Sequence, residues 1–373
     1  MPAPKKILVL CVGSYISGAE NVTLEVLEYL QQKGHQVHCM VNGWNDGKFI
    51  ERLNQLGIPY TLQKLGWYYL RKPGWTLGSM LRFPGAILTF IRLKATFRPD
   101  VYYAVSYRTI FLQCLFFNRN VIYHVHDTNG DNRQGRFFLK LIQPFVKKFI
   151  AVSEFIKTDL IQCGVPATKI EVVYNWVKPD LIHQEAILNR MYMPDGLLRI
   201  GIAGQVSARK GHTDLFKALS IINQNINFEC LVFGNDNNEY AISLKQELAG
   251  KAIEKRIRWM GYEGDKFKLY NSIDVLVAPA IKTESFGLVV AEAGMYGICS
   301  IVTGLGGVKE IINDSETGFI VPKNSPNAIA QKIQSLYEQP QQLLQMGRQA
   351  RERVLEKFPY RNIEQVAAAI TGI

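Results

Sequence analysis

Apolar and polar positions along the chain follow two periods in alternation, and the alternation runs through two successive series. Short apolar runs at Lys6–Val12, Gln36–Val41, Val101–Val105, Val121–Val125, Phe149–Val152 and Lys169–Val173 have the length and β-branched content of buried strands. Helical periodicity fills the intervals, most clearly over Ala19–Lys33 and Glu154–Cys163. The opening strand, a loop bearing Gly13 and Gly18, a helix and a second strand make a right-handed βαβ unit, which implies a parallel sheet. Between Tyr174 and Leu197, Pro179, Pro194 and Gly196 stand among mixed polar residues and read as an interdomain connection. A second series follows, with strands expected at Arg199–Ala203, Glu229–Phe233, Val275–Ala278 and Ser300–Val302 and helices at Asp214–Ile222 and Lys266–Asn271. The expected fold class is α/β, two doubly wound Rossmann-like domains at 1–178 and 179–358. Phe358-Pro359 breaks the chain before a last helix, Asn362–Ile370, so residues 359–373 are expected to pack back on the first domain.

Three strand-to-loop junctions carry candidate chemistry. In ESFGLVVAEA, Glu284 and Glu292 bracket seven residues after the strand at Val275–Ala278. Ligands of doubly wound sheets bind outside the carboxyl ends of strands, and a helix starting near Phe286 or Gly287 offers its first amides to an anion there. Glu292 sits among Val289, Val290, Ala291 and Ala293, apolar surroundings in which a carboxylate needs partners. The second junction, IAGQVSARKGH, follows a strand with a glycine-containing loop whose Arg209 and Lys210 suit a diphosphate, although a Lys before a Gly is also an ordinary solvated turn. Gly306 and Gly307 after the next strand read, by themselves, as a turn. The third junction is HVHD, where strand alternation puts His124 and His126 on one side. Metal ligation is open to this pair, but no acidic or cysteine cluster completes a set, and a strand-end His is often structural.

Composition narrows the picture. A chain of 373 residues exceeds one ordinary core, which agrees with two domains and a cleft between them, and 47% hydrophobic with 20% charged residues describes a globular protein. Apolar runs such as Ala86–Ile91 fall far short of the roughly 20 residues that span a bilayer, and Lys5 and Lys6 directly precede the first strand, so the expectation is a cytoplasmic protein without a signal peptide. Six cysteines without a CxxC pair read as reduced core residues. The net charge of +11 is concentrated: between Glu51 and Asp127 the only acidic residue is Asp100, against Arg52, Lys64, Arg71, Lys72, Arg82, Arg92, Lys94, Arg98, Arg108 and Arg119. Aromatic residues interleave with these cations in Trp67–Trp75. That stretch is either a solvated basic loop or a contact for an anionic membrane surface at which the protein is peripheral.

Taken together, SGAENVTLEVLEYLQQKGHQV, HVHD, VSEFIKTDLIQCGVPATKIEVVYNW, GQVSARKGH, ESFGLVVAEA and GLGGVKEIINDSETGFIVP resemble glycosyltransferase family 4, retaining enzymes of the GT-B fold. The resemblance covers nearly the whole chain. It implies two Rossmann-like domains facing across a cleft and transfer of a hexose-type sugar from a nucleotide diphosphate donor, by family habit a UDP-sugar, to a glycan or lipid-linked acceptor. It further implies that Lys210 contacts donor phosphate, Glu284 the donor-sugar hydroxyls and Glu292 the ribose. Phe286, Gly287, Leu288 and Val289 bring amides to phosphate and sugar, His126 faces the sugar, and Gly18 comes near the diphosphate. Catalytic roles are thus expected of Glu284, His126 and Lys210, and donor binding of Gly18, Gln205, Arg209, Lys210, Phe286–Val289 and Glu292. Two positions depart from the pattern. Gln205 replaces the usual Arg after the glycine of the phosphate loop, removing one cation unless Arg209 replaces it, and Asn175-Trp176 stands for the usual Asn-Gly. No Asp-x-Asp motif occurs, so neither a metal nor any other cofactor is expected, and nucleic acid is not an expected partner. Two other readings remain: a nucleotide-sugar epimerase or hydrolase on the same architecture, and a degenerate sugar-nucleotide-binding partner, the latter suggested by Gln205.

Overall fold

The computed structural model describes residues 3–11, 15–64, 73–107, 109–110, 119–128 and 133–372. Gly13, Arg71, Lys72, Arg108 and most of the Trp67–Trp75 stretch lie outside them. The chain divides into two compact units, one of residues 1–175 with 361–373 and one of 176–360. The crossings fall at Asn175/Trp176 and Tyr360/Arg361.

The first unit is built on a sheet of seven parallel strands: β1 (Lys6–Leu10), β2 (Gln36–Asn42), β3 (Tyr60–Gln63), β4 (Val101–Ala104), β5 (Val121–Val125), β6 (Val146–Ala151) and β7 (Ile170–Val172). Their spatial order is β3-β2-β1-β4-β5-β6-β7, so the winding reverses between β1 and β4. Strands β1, β4 and β5 are buried along almost their whole length, as a parallel sheet covered by helices requires. The last helix, Asn362–Thr371, packs on the Gly18–Gln32 helix and against β4 and β6 of this unit, burying Ile363, Val366 and Ile370. A helix at Pro73–Phe97, which the sequence pattern does not announce, links β3 to β4. No helix among the described residues is long and apolar enough to cross a membrane.

The second unit repeats the plan with six parallel strands: β8 (Leu198–Ala203), β9 (Phe228–Phe233), β10 (Ile257–Gly261), β11 (Val275–Ala278), β12 (Ser300–Thr303) and β13 (Gly318–Val321). The order β10-β9-β8-β11-β12-β13 reverses between β8 and β11. Ile200, Ile202, Val232, Val275, Val277 and Ile301 join Leu215, Leu219, Ile329 and Ile333 from two helices in one buried core. Five cysteines, Cys11, Cys39, Cys163, Cys230 and Cys299, are buried and free.

Candidate active site

Where β8 and β11 lie side by side, the chain leaves one strand toward β9 and the other toward β12, so the loops at their carboxyl ends part. The chain after β8 turns back in a 3-10 turn, Ala208–Lys210, closed by Gly211 at φ +77°. A side chain at Gly211 would overlap the carbonyl of Pro279, just past β11, so only glycine lets the two backbones meet. Ile281 N–H then donates to the Arg209 carbonyl at 2.9 Å, tying the two loops together.

That contact sets the cations against a carboxylate. Arg209 Nη2 lies 3.0 Å and Lys210 Nζ 2.9 Å from the same oxygen, Glu284 Oε1. Glu284 is 15% exposed at its side chain, and its main chain is seated from the far side. Its N–H donates to Leu305 O at 3.1 Å and its carbonyl accepts from Gly307 N–H at 2.8 Å. Side chains on Gly306 or Gly307 would overlap the carbonyls of Glu284 and Ser285. The Gly306-Gly307 pair, which in sequence is only a turn, is the seat of Glu284. Sequence reasoning missed this, because its signal is a tertiary contact rather than a spacing.

Past Glu284 the chain enters the helix Leu288–Met295 through Gly287, at φ +108°. The first-turn amides at Leu288 and Val289 have no preceding carbonyl within the helix and give this end its partial positive charge. Phe286 turns inward, fully buried against Phe358 with ring centroids 5.2 Å apart, so it contributes backbone rather than side chain. One helical turn on, Glu292 Oε2 accepts from Tyr270 Oη at 2.8 Å and from Lys266 Nζ at 2.9 Å. Burial, then the Glu292 charge, pushes the Tyr270 phenol well above its ordinary range, so it stays a donor. Lys266 and Tyr270 are the other residues the sequence did not reveal. Gln205 is exposed at the start of the β8 loop.

In the first unit, His126 follows β5 and is buried, its ring 4.1 Å from that of His124, which hydrogen-bonds Tyr103 Oη at 2.8 Å. Burial lowers His126 to about 4 and His124 well below the ordinary imidazole value, so both rings are neutral at pH 7. Nε2 of each is buried without a hydrogen-bond partner. Gly18 is the first residue of the Gly18–Gln32 helix, where Glu20 accepts from Ser17 N–H at 3.1 Å. The structure thus joins Arg209, Lys210 and Glu284 directly and carries Phe286 through Glu292 on the adjoining segment. His126 and Gly18 belong to the other unit. Among the described residues no three His, Cys, Asp or Glu side chains cluster as metal ligands.

Residues 191–353 match the family model described as glycosyl transferases group 1, and residues 16–181 match that of glycosyltransferase family 4. An uncharacterised glycosyltransferase of Methanocaldococcus jannaschii is 28% identical over 227 residues, 57% of each chain. The capsular polysaccharide biosynthesis glycosyltransferase CapM of Staphylococcus aureus is 30% identical over 160 residues, 43% of this chain and 42% of that one. The chain thus spans about half the length of the curated relatives it matches. Among solved structures, HepE of Anabaena in complex with UDP and glucose superposes at a TM-score of 0.80 with 20% identity, covering 99% of this chain and 100% of that one. WaaG, a glycosyltransferase involved in lipopolysaccharide biosynthesis, superposes at 0.72 with 14% identity, covering 98% of this chain and 100% of that one. At these identities the structural likeness establishes the GT-B fold.

Proposed function

The chain belongs to glycosyltransferase family 4, and from that premise we propose that it transfers a hexose-type sugar, with retention at the anomeric carbon, from a nucleotide diphosphate donor to a glycan or lipid-linked acceptor. The observation that carries this reading is the meeting of Arg209, Lys210 and Glu284 where the second sheet reverses, beside the N-terminus of the Leu288–Met295 helix. Two cations and a helix end suit a diphosphate, and adjoining carboxylates suit the hydroxyls of sugar and ribose. HepE, solved with UDP and with UDP-glucose, supports a uridine donor.

In the proposed step the acceptor oxygen bonds the anomeric carbon on the face from which the diphosphate departs. The sugar–phosphate C–O bond breaks with its electron pair on the phosphate, and the acceptor proton passes to a phosphate oxygen. Lys210, Arg209 and the amides of Leu288 and Val289 stabilise the charge that develops on the diphosphate, which is the work a metal would otherwise do. Arg209 then supplies the cation that Gln205 lacks. Glu284 takes the sugar hydroxyls and Glu292 those of the ribose. His126, neutral and with an unpartnered Nε2, has the protonation state that hydrogen-bonds a sugar hydroxyl.

A lipid-linked acceptor requires approach to a membrane, and the Pro73–Phe97 helix supports that. It contains no acidic residue, and it is apolar on two opposite faces. Ala86, Phe90 and Leu93 are buried, whereas Leu77, Met80, Leu81, Leu88 and Ile91 are exposed, Leu81 to 73%. At 3.6 residues per turn the exposed five fall in one stripe about 100° wide, flanked by Arg92 and Lys94. An apolar stripe rimmed by cations fits the interface of an anionic bilayer. The helix continues in sequence from the Trp67–Trp75 stretch, most of which lies outside the described residues.

A panel of nucleotide sugars screened for thermal stabilisation tests the donor class, since a ligand at a hundred times its dissociation constant adds about 2.7 kcal/mol. A uridine donor should raise the melting temperature, and NMR of the product should show the donor's anomeric configuration kept. Unchanged melting with every donor would overturn the proposal.

A further inference from the structure

We propose that Glu284 acts as an internal counter-ion, competing with the diphosphate for Arg209 and Lys210, so that the site holds the intact sugar nucleotide and lets go of the nucleoside diphosphate that transfer leaves behind. The inference rests on the functional reading above and gives this carboxylate a second task. Both cations converge on one oxygen, Oε1, at 3.0 and 2.9 Å, so in the unliganded site half of their charge is already offset by an anion of the protein. The side chains of Glu284 and Lys210 are 15% and 20% exposed, which shields the pair from water and strengthens the attraction relative to a surface ion pair.

Neither backbone is free to withdraw. Glu284 is bridged to Leu305 and Gly307, and Arg209 accepts a hydrogen bond from Ile281 N–H through its carbonyl. Exchange of partners therefore falls to the side chains, over the short distance that rotamer changes cover. A diphosphate entering beside Lys210 brings more negative charge than one carboxylate and draws both cations away. Glu284 is then left as an anion next to another anion, a costly state unless something donates hydrogen bonds to it.

An intact donor meets that need, because its sugar hydroxyls donate to the released carboxylate. A free nucleoside diphosphate has no sugar to offer. Once transfer carries the hydroxyls off with the product, the carboxylate returns to Arg209 and Lys210 and displaces the diphosphate. The same residue that grips the sugar then weakens the hold on the leaving group. Glu292 has no such role, since its partners are Lys266 and Tyr270 rather than the cations of the β8 loop.

The sign of one substitution tests this. Glu284→Gln keeps the size of the side chain and removes its charge, so calorimetric titration should find UDP bound roughly three- to tenfold more tightly than by the wild-type protein, the worth of two partly screened ion pairs. Inorganic pyrophosphate, which carries neither base nor sugar, should tighten in the same direction, and the gain should shrink as salt is added. Should Glu284→Gln melt abnormally, Glu284→Ala is titrated in its place and read the same way. Equal or weaker UDP binding by the variant, with the wild-type protein binding UDP normally, overturns the counter-ion role and leaves the functional reading standing. If UDP, GDP and ADP all fail to bind the wild-type protein, the functional reading falls, and this inference with it.

Discussion

The two units share a doubly wound plan and differ in how their charges are balanced. The first, residues 1–175 with 361–373, carries 22 Lys and Arg against 12 Asp and Glu; the second, residues 176–360, carries 21 against 20. Nearly all of the net charge of +11 therefore sits in the first unit. In the second, the cations of the candidate site already face carboxylates, Arg209 and Lys210 on Glu284 and Lys266 on Glu292. An unbalanced unit attracts anionic surfaces at long range, whereas a balanced one recognises an anion only by exchanging partners at contact. On the proposed function, the first arrangement suits an acceptor at a membrane and the second a soluble donor that must be bound and released at every turnover.

The largest effect should come from attacking the imbalance. Each Lys or Arg near an anionic bilayer contributes on the order of 1 kcal/mol, so replacing Arg92, Lys94 and Arg98 by Gln should lower partition onto phosphatidylserine vesicles by roughly a hundredfold or more in a sedimentation assay. The same number of neutralisations in the second unit, at Lys217, Lys251 and Lys255, should change little. Equal losses would erase the distinction between the units.

Acid should destabilise both units through their buried histidines, which separates burial from net charge. His126 in the first and His212 in the second are both buried, and burial lowers each to about 4. The unfolded chain protonates near pH 6.5, before the folded one. Stability is therefore full above pH 6.5 and falls as pH drops toward 4, by about 3 kcal/mol for each imidazole. Melts at pH 7, 5 and 4 measure this, and His212→Asn should flatten the dependence by its share. A dependence unchanged in that variant would mean that the acid lability belongs to other groups.

A smaller effect is expected at the loop cation. Loss of a charge-assisted hydrogen bond to the diphosphate should cost about 1.5 to 3 kcal/mol, so Lys210→Ala should lower kcat/KM roughly ten- to over a hundredfold while melting normally. Undiminished turnover would leave Lys210 as nothing more than the partner of Glu284.

How much of this was legible in the sequence depends on what each element buries. The central strands β1, β4, β5, β8, β11 and β12 are short, predominantly apolar runs between helices and are readable as such. Strands β3, β10 and β13 were not read, and all three are sheet edges. β3 is only half-buried and β10 alternates between buried and exposed, so neither is an apolar run, while β13 is a four-residue segment behind a turn. The Pro73–Phe97 helix escaped because apolar residues on two opposite faces blur the 3.6-residue period, and Gly78, Pro84 and Gly85 interrupt it. At the site, Glu284, Glu292 and Lys210 stood out through their motifs. Tyr270 and the Gly306-Gly307 seat did not, because each matters through a partner some 20 residues away that only folding brings near.

The account rests on two carboxylates that hold different parts of one donor, and steady-state kinetics of Glu284→Gln and Glu292→Gln with the same sugar nucleotide test it most directly. Contacts from Glu284 to the transferring sugar tighten as positive charge develops at the anomeric carbon, so its variant should lose mainly kcat. Contacts from Glu292 to the ribose are equal in ground and transition states, so its variant should raise KM, and the dissociation constant of the free nucleoside diphosphate, by about tenfold with kcat nearly kept. The contradicting result is a Glu284→Gln protein that keeps its kcat and weakens donor and bare nucleotide as much as Glu292→Gln does.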